Sequence, residues 1–246
     1  MLNRFALAVG NHPRRLVMAA VLVMAVIGWL WLVLAALDDD MQGALMPSMV
    51  ADWDAGDIAL VFGMWAAMVF AMMLPTAAPT FRAYAGRAGA ATLALVAGYT
   101  AVWLAVAVVA AAGQAWLVRL GALSPHMAPA GTALSASILL AAGIYQFTPL
   151  KWACLVRCRN PRVADLDGEA AAAFRIGVEE GLACLGCCWA MMAVMFAAGL
   201  MNLAAMAFLG VLMGVEKLVS GLGLTYFLGV SLILAGVILA SGLVIG

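Results

Sequence analysis

The chain has 246 residues, is 67% apolar and only 10% charged, and carries no net charge. A water-soluble domain of this size needs a far more polar surface, and a balanced charge gives no electrostatic basis for binding nucleic acid. What remains is a single all-α domain over residues 1–246 that crosses a lipid bilayer several times.

Apolar runs place seven candidate spans at Leu16–Leu37, Ile58–Leu74, Thr92–Val118, Thr132–Phe147, Ile176–Gly199, Leu203–Val215 and Leu224–Ile245. The first follows Arg14 and Arg15. At about 22 residues it exceeds the 7–15 of a cleavable signal, so it is read as a retained helix. The loop after it, Asp38–Asp57, holds six aspartates and no base. With the N-terminus inside, Arg4, Arg14, Arg15, Arg82, Arg87, Lys151, Arg157, Arg159, Arg162, Arg175 and Lys217 face the cytoplasm, and only Arg119 faces out. That bias predicts an N-in, C-out polytopic protein.

Span two holds "MWAAMVFAMM" and span five "CWAMMAVMFA". The two spans run in opposite senses. Aligning Trp65 with Trp189 therefore suggests an inverted repeat of spans 2–4 and 5–7, an architecture whose sites lie between its halves. Met64, Met68 and Met72 form a stripe on span two that packing alone can explain. Gln114 and Gln146 are expected to hydrogen-bond between helices.

The segment "TPLKWACLVRCRNPR" predicts a short helix at the cytoplasmic interface. Thr148 caps it, Pro149 suits its first turn, and Asn160-Pro161 ends it. Lys151, Arg157 and Arg159 are expected to meet the headgroups. Cys154 and Cys158, four apart, share one face of it.

Span five gathers sulfur. At about 100° per residue, Glu180, Cys184, Cys187, Cys188, Met191, Met192 and Met195 fall on less than half the circumference, along about 22 Å of helix. Span six must be its antiparallel neighbour, with Asn202, Met206, Met213 and Glu216 on one face and Glu216 about level with Cys184. A carboxylate at that depth needs a partner or a function; alternatively Glu216 and Lys217 end a helix and reach water. All five cysteines fall on the cytoplasmic side, where thiols stay reduced. Thiolate with thioether favours Cu(I); thiolate alone also suits Zn(II) or an iron–sulfur cluster. His12 and His126 are the only histidines, so a histidine-rich copper oxidase site is not expected, and His126, between Pro125 and Pro129, reads as an exposed loop residue. Met41, Met46 and Met49 dot the acidic loop.

The blocks "MWAAMVFAMMLPTAAP", "YQFTPLKWACLVRCRNP" and "GLACLGCCWAMMAVMFAAGLMNLAAMAFLGVLMGVEKL" resemble the signature blocks of a bacterial domain-of-unknown-function family of predicted metal-binding integral membrane proteins, from about Met64 to Leu218. The resemblance implies a bacterial inner-membrane protein and carries over Cys154, Cys158, Cys184, Cys187 and Cys188 as metal residues. Four functions stay open. One is transfer, transport or insertion of a soft metal, with a metallochaperone or membrane enzyme as partner. Another is thiol oxidoreduction, with Cys184/Cys187 as the active pair and Cys154/Cys158 as shuttle. A third is a metal that only staples the inner loop to span five, and a fourth is a copper centre completed by a partner. No phosphate-binding loop or phosphorylatable-aspartate motif is present, so transport driven directly by nucleotide is not expected.

Overall fold

The computed structural model describes residues 13–37, 55–88, 91–121, 131–161, 170–199 and 202–242. Arg4, His12, the acidic loop as far as Asp54 with its three methionines, His126, Arg162 and Met201 lie outside the described residues. What is described is helical, with no strand among it. In chain order the helices are α1 (Pro13–Leu37), α2 (Ala55–Met68), α3 (Ala78–Ala88), α4 (Ala91–Arg119), α5 (Thr132–Tyr145), α6 (Pro149–Arg159), α7 (Ala170–Ala198), α8 (Leu203–Leu218) and α9 (Gly223–Ala240).

Five helical stretches are long and apolar enough to cross a bilayer: Arg14–Leu37, Gly56–Thr76, Ala91–Arg119, Ala170–Ala198 and Gly223–Ala240. The other two expected spans are the 14-residue α5 and the 16-residue α8. The chain turns by 65° between α5 and α6, so α6 leaves the line of the helix before it. As the sequence suggests, Thr148 caps α6: its side chain accepts from the Lys151 N–H at 3.2 Å, and Pro149 fills the first turn. α7 starts at Ala170, earlier than hydropathy alone places it, because the added turns are alanine-rich and laced by an Arg175–Glu179 pair one turn apart.

Two features lie outside the expected spans. α3 falls between the second and third of them, with Phe81, Tyr84 and Ala85 buried at helical spacing. After α2 the chain passes through a π-helical turn, Val69–Met73, and one more α turn, Leu74–Thr76. Pro75 has no N–H, so the carbonyl of Ala71, four residues earlier, lacks its usual helical donor. The Trp29 indole N–H from α1 donates to the Ala71 carbonyl at 3.1 Å, and the Thr76 hydroxyl donates to that of Met73 at 2.9 Å. Loosened helix of this kind recurs at functional sites.

α7 is the centre of the bundle and packs on α4, α5, α6 and α8. Its contact with α4 brings backbone against backbone. A Cβ at Gly177 would collide with the Leu95 carbonyl and one at Gly98 with that of Phe174; at Gly181 the Tyr99 carbonyl is 3.2 Å away. Small residues permit such approach where the solvent supplies no hydrophobic drive between helices. Gly177→Ala is therefore expected to destabilise by about 1–3 kcal/mol, the usual range for overpacking, read as a lower thermal midpoint of the purified protein.

The two tryptophans of the suggested repeat sit in different surroundings. Trp65 is buried and donates to Gln114 Oε1 at 2.9 Å, whereas Trp189 is exposed and packs edge-on against Tyr145. Gln114 thus bridges helices as expected. Gln146 does not: it is buried, and both its amide atoms lack a partner among the described residues.

Candidate metal centre

Cys184, Cys187 and Cys188 come from one and a half turns of α7, and all three are buried. Their Sγ atoms lie within 4.8 Å of one another, with Cys187 and Cys188 at 3.3 Å. The Cys187 thiol also donates to the Cys184 carbonyl at 3.2 Å, which fixes its rotamer. From α6, Cys158 brings a fourth sulfur to 3.7 Å from Cys187. Sulfurs around one tetrahedral ion stand about 3.8 Å apart when each bond is ~2.3 Å. Cys184, Cys187 and Cys188 are thus grouped closely enough for one ion, and Cys158 stands beside Cys187 alone as a fourth thiol that side-chain movement would have to bring in.

Cys154 does not join them. Its sulfur packs into the notch left by Gly186, and among the described residues it makes no contact with another thiol. Gly186 lies about 100° round α7 from Cys187, so the turn of α6 that carries Cys154 meets the wrong side of the helix. The folded-back segment therefore contributes one thiol rather than two.

The two carboxylates on the sulfur faces are also placed elsewhere. Glu180 is buried and accepts from Arg157 Nε at 3.0 Å. Burial works against the Arg157 charge, but the hydrogen bond and charge of Glu180 outweigh it and raise the Arg157 pKa. Burial and the same carboxylate push the phenol of Tyr84, on α3, up to about 12. Glu216 accepts from Lys151 Nζ at 2.7 Å and from the Thr225 hydroxyl at 2.8 Å, with 0% of the Lys151 side chain and 1% of the Glu216 side chain exposed. Neither carboxylate belongs to the thiol group.

The sequence predicts Lys151 among the headgroups and leaves Glu216 either with a partner or function or, like Lys217, reaching water from a helix end; all three are buried. The reason is tertiary. α6 lies against α7 and α8, so Lys151 points inward, where its ammonium also donates to the Cys187 carbonyl at 2.6 Å. Arg159 donates twice to the Glu216 carbonyl, at 2.8 and 3.2 Å. The Tyr145 hydroxyl donates to the Gly186 carbonyl at 2.6 Å. Each of these contacts holds the backbone that carries the thiols.

Lys217 is the residue the sequence reading missed. Its ammonium donates to Cys184 Sγ at 3.1 Å and to the Thr76 hydroxyl at 2.7 Å. Among the described residues no carboxylate pairs with it. The Tyr99 hydroxyl stands 3.0 Å from the same sulfur and 3.1 Å from the carbonyl of Met73, the last residue of the π turn. A buried cation requires an anion, and here the one group able to become one is the thiol cluster. A negative charge shared over the sulfurs and a bound ion is thus balanced inside the protein.

Beyond the cysteines, α7 continues with Met191, Met192 and Met195, all buried. Met206 and Met213 on α8 are buried too, as are Met64 and Met68 on α2 and Met72 and Met73 in the π turn after it. Asn202 instead caps α8, its side chain accepting from the Ala205 N–H at 3.0 Å.

Residues 62–239, from α2 almost to the end of α9, match the family described as PpoB2, copper chaperone. The chain belongs to the PpoB2 family. No curated protein and no solved structure matches it. The matched segment holds all five cysteines of this PpoB2 chain, together with Tyr99, Lys151, Glu216 and Lys217. The buried cysteine cluster fits the copper binding that the family description carries. The match and the motif resemblance agree on a metal-binding family.

Tyr99 tests whether the groups around Cys184 matter. Tyr99→Phe keeps the edge-on packing against Phe81 and removes only the hydroxyl. Loss of a partner that supports a ligand costs about 10- to 100-fold in metal affinity, so Cu(I) affinity is expected to fall within that range while the thermal midpoint of the metal-free protein stays put.

Proposed function

We propose that this is a seven-span, N-in, C-out protein of the bacterial cytoplasmic membrane that receives Cu(I) on its cytoplasmic side and passes it to a partner. Cys158, Cys184, Cys187 and Cys188 are the receiving ligands. Met191, Met192 and Met195 are weaker, uncharged soft stations deeper in the bundle, the last of them about 16 Å along α7 from Cys184. Glu180, Glu216 and Cys154 hold the frame rather than the ion. The ion is cargo here, bound tightly enough to be withheld from other thiols and loosely enough to leave.

The observation that carries this reading is the group of three buried thiols on α7, with Cys158 of α6 3.7 Å from Cys187 and the Lys217 ammonium 3.1 Å from Cys184. One internal cation suits a univalent soft ion held by two thiolates, whose net charge is −1. A four-thiolate Zn(II) site carries twice that charge and leaves half unbalanced. The methionines extend the same preference.

Metal analysis of protein purified without a polyhistidine tag is the test. Copper retained at about one ion per chain, and a thermal midpoint raised by Cu(I) more than by Zn(II), are expected, because a ligand that binds only the folded state stabilises it. Metal-free protein unmoved by either ion refutes the reading. Should differential alkylation instead trap a Cys158–Cys187 disulfide that cycles in cells, the oxidoreductase reading takes its place, since those two sulfurs stand 3.7 Å apart across two helices.

A further inference from the structure

A cavity of about 470 Å³ lies against the cysteine cluster, between α6, the end of α8 and the start of α3. Thr76, Thr80, Cys158, Arg159, Asn160, Lys217 and Ser220 supply its polar lining, and Trp152 forms part of one wall. It is the size of a small-molecule site. Cys158 is the half-buried member of the thiol group, while Cys184, Cys187 and Cys188 are sealed behind it. A ligand arriving through this cavity therefore meets Cys158 first.

The charge of the lining is the informative feature. Arg159 and Lys217 are both cationic, and no carboxylate lines the cavity among the described residues. Among the described residues neither cation is in ion-pair distance of a carboxylate; there Arg159 donates to a backbone carbonyl, and Lys217 to Thr76 and Cys184. Such walls repel a bare metal cation and attract an anion. A path built for free Cu(I) would be lined with acids or thioethers.

We propose that the cavity docks Cu(I) as a small anionic thiolate complex, two carrier thiolates around one ion, and that Cys158 takes the ion from it. This rests on the copper reading above. In the exchange a Cu–S bond to Cys158 forms and the Cu–S bond to one carrier thiolate breaks. The Cys158 proton leaves on that carrier thiol, and copper stays Cu(I) throughout. Repetition at Cys187 releases the second carrier and draws the ion inward. Arg159 acts as a positioning residue for the carrier's carboxylates.

The experiment compares two donors on full-length metal-free protein in lipid nanodiscs under reducing conditions. One is Cu(I)–glutathione. The other is Cu(I)–glutathione diethyl ester, which has the same thiol but masked carboxylates. In the wild type at low salt the first donor is expected to load about 10-fold faster, the lower end of electrostatic steering, and added salt should shrink that ratio. Arg159→Gln and Ser220→Asp should each bring the ratio toward one. Because the ratio is taken within each variant, a reduced folded fraction does not alter it. Equal rates in the wild type, or a ratio that neither substitution moves, overturn the proposal; the former makes a protein carrier the occupant of this face. No copper uptake from either donor, nor from Cu(I)–acetonitrile in direct titration, overturns the copper reading itself.

Discussion

Cys187→Ser is expected to lower Cu(I) affinity by more than about 100-fold, beyond the 10- to 100-fold that loss of a supporting partner costs, while the protein still folds. Cys187 is the hub of the sulfur group: 3.3 Å from Cys188, 3.7 Å from Cys158, and within the same cluster as Cys184. Serine keeps the shape and can still donate to the Cys184 carbonyl, as the thiol does at 3.2 Å. What it removes is softness, since a hydroxyl is a poor ligand for Cu(I). Cys154→Ser provides the internal comparison. That sulfur faces Gly186 and touches none of the others, so affinity should move by less than about threefold, under 1 kcal/mol. Competition against a coloured Cu(I) chelator measures both variants. Equal losses at the two positions would contradict the separation of Cys154 from the site.

Lys151→Met is expected to be the most destabilising single change in the frame. It leaves the Glu216 carboxylate, 1% exposed, with the Thr225 hydroxyl and no cation. Removing one partner of a buried ion pair costs about 3–5 kcal/mol. At roughly 2–4 °C per kcal/mol for a chain of this size, the thermal midpoint should fall by about 6–20 °C. The Cys187 carbonyl also loses its second donor, so the thiols should loosen as well. The double variant Lys151→Met/Glu216→Leu should recover most of the loss, because an apolar pair of similar volume often replaces a buried ion pair without cost. A double variant as unstable as the single one would show that the stranded charge was not the cause. Tryptophan fluorescence on heating in detergent reads all three proteins.

The sequence alone reveals whatever depends on neighbours along the chain. The cap at Thr148, the proline after it and the stop at Asn160 define α6 from purely local chemistry. The clustering of Cys184, Cys187 and Cys188 follows from helical periodicity, and so does the return of α8 alongside α7. What failed was non-local. A lysine near a helix end can reach water or turn inward, and only the packing of α6 on α7 and α8 decides that Lys151 meets Glu216. Charge counting along the loops treats such a lysine as a marker of sidedness and sees nothing of its partner. Lys217 was set aside on the same ground, although its ammonium proves to be the cation beside Cys184. The i, i+4 spacing of Cys154 and Cys158 correctly put them on one face, but that spacing spans about 6 Å along the axis, enough for a crossing helix to meet one and miss the other. Nothing local announces the π turn before Pro75, or that Trp29 from α1 reaches the Ala71 carbonyl there and Tyr99 from α4 that of Met73.

X-ray absorption at the copper edge of tag-free, Cu(I)-loaded protein tests the central claim most directly. The thiol site predicts a first shell of sulfur alone, unchanged in Cys154→Ser and altered in sulfur number or distance in Cys187→Ser. A shell of nitrogen or oxygen, or a sulfur shell that Cys187→Ser leaves unchanged, would contradict it.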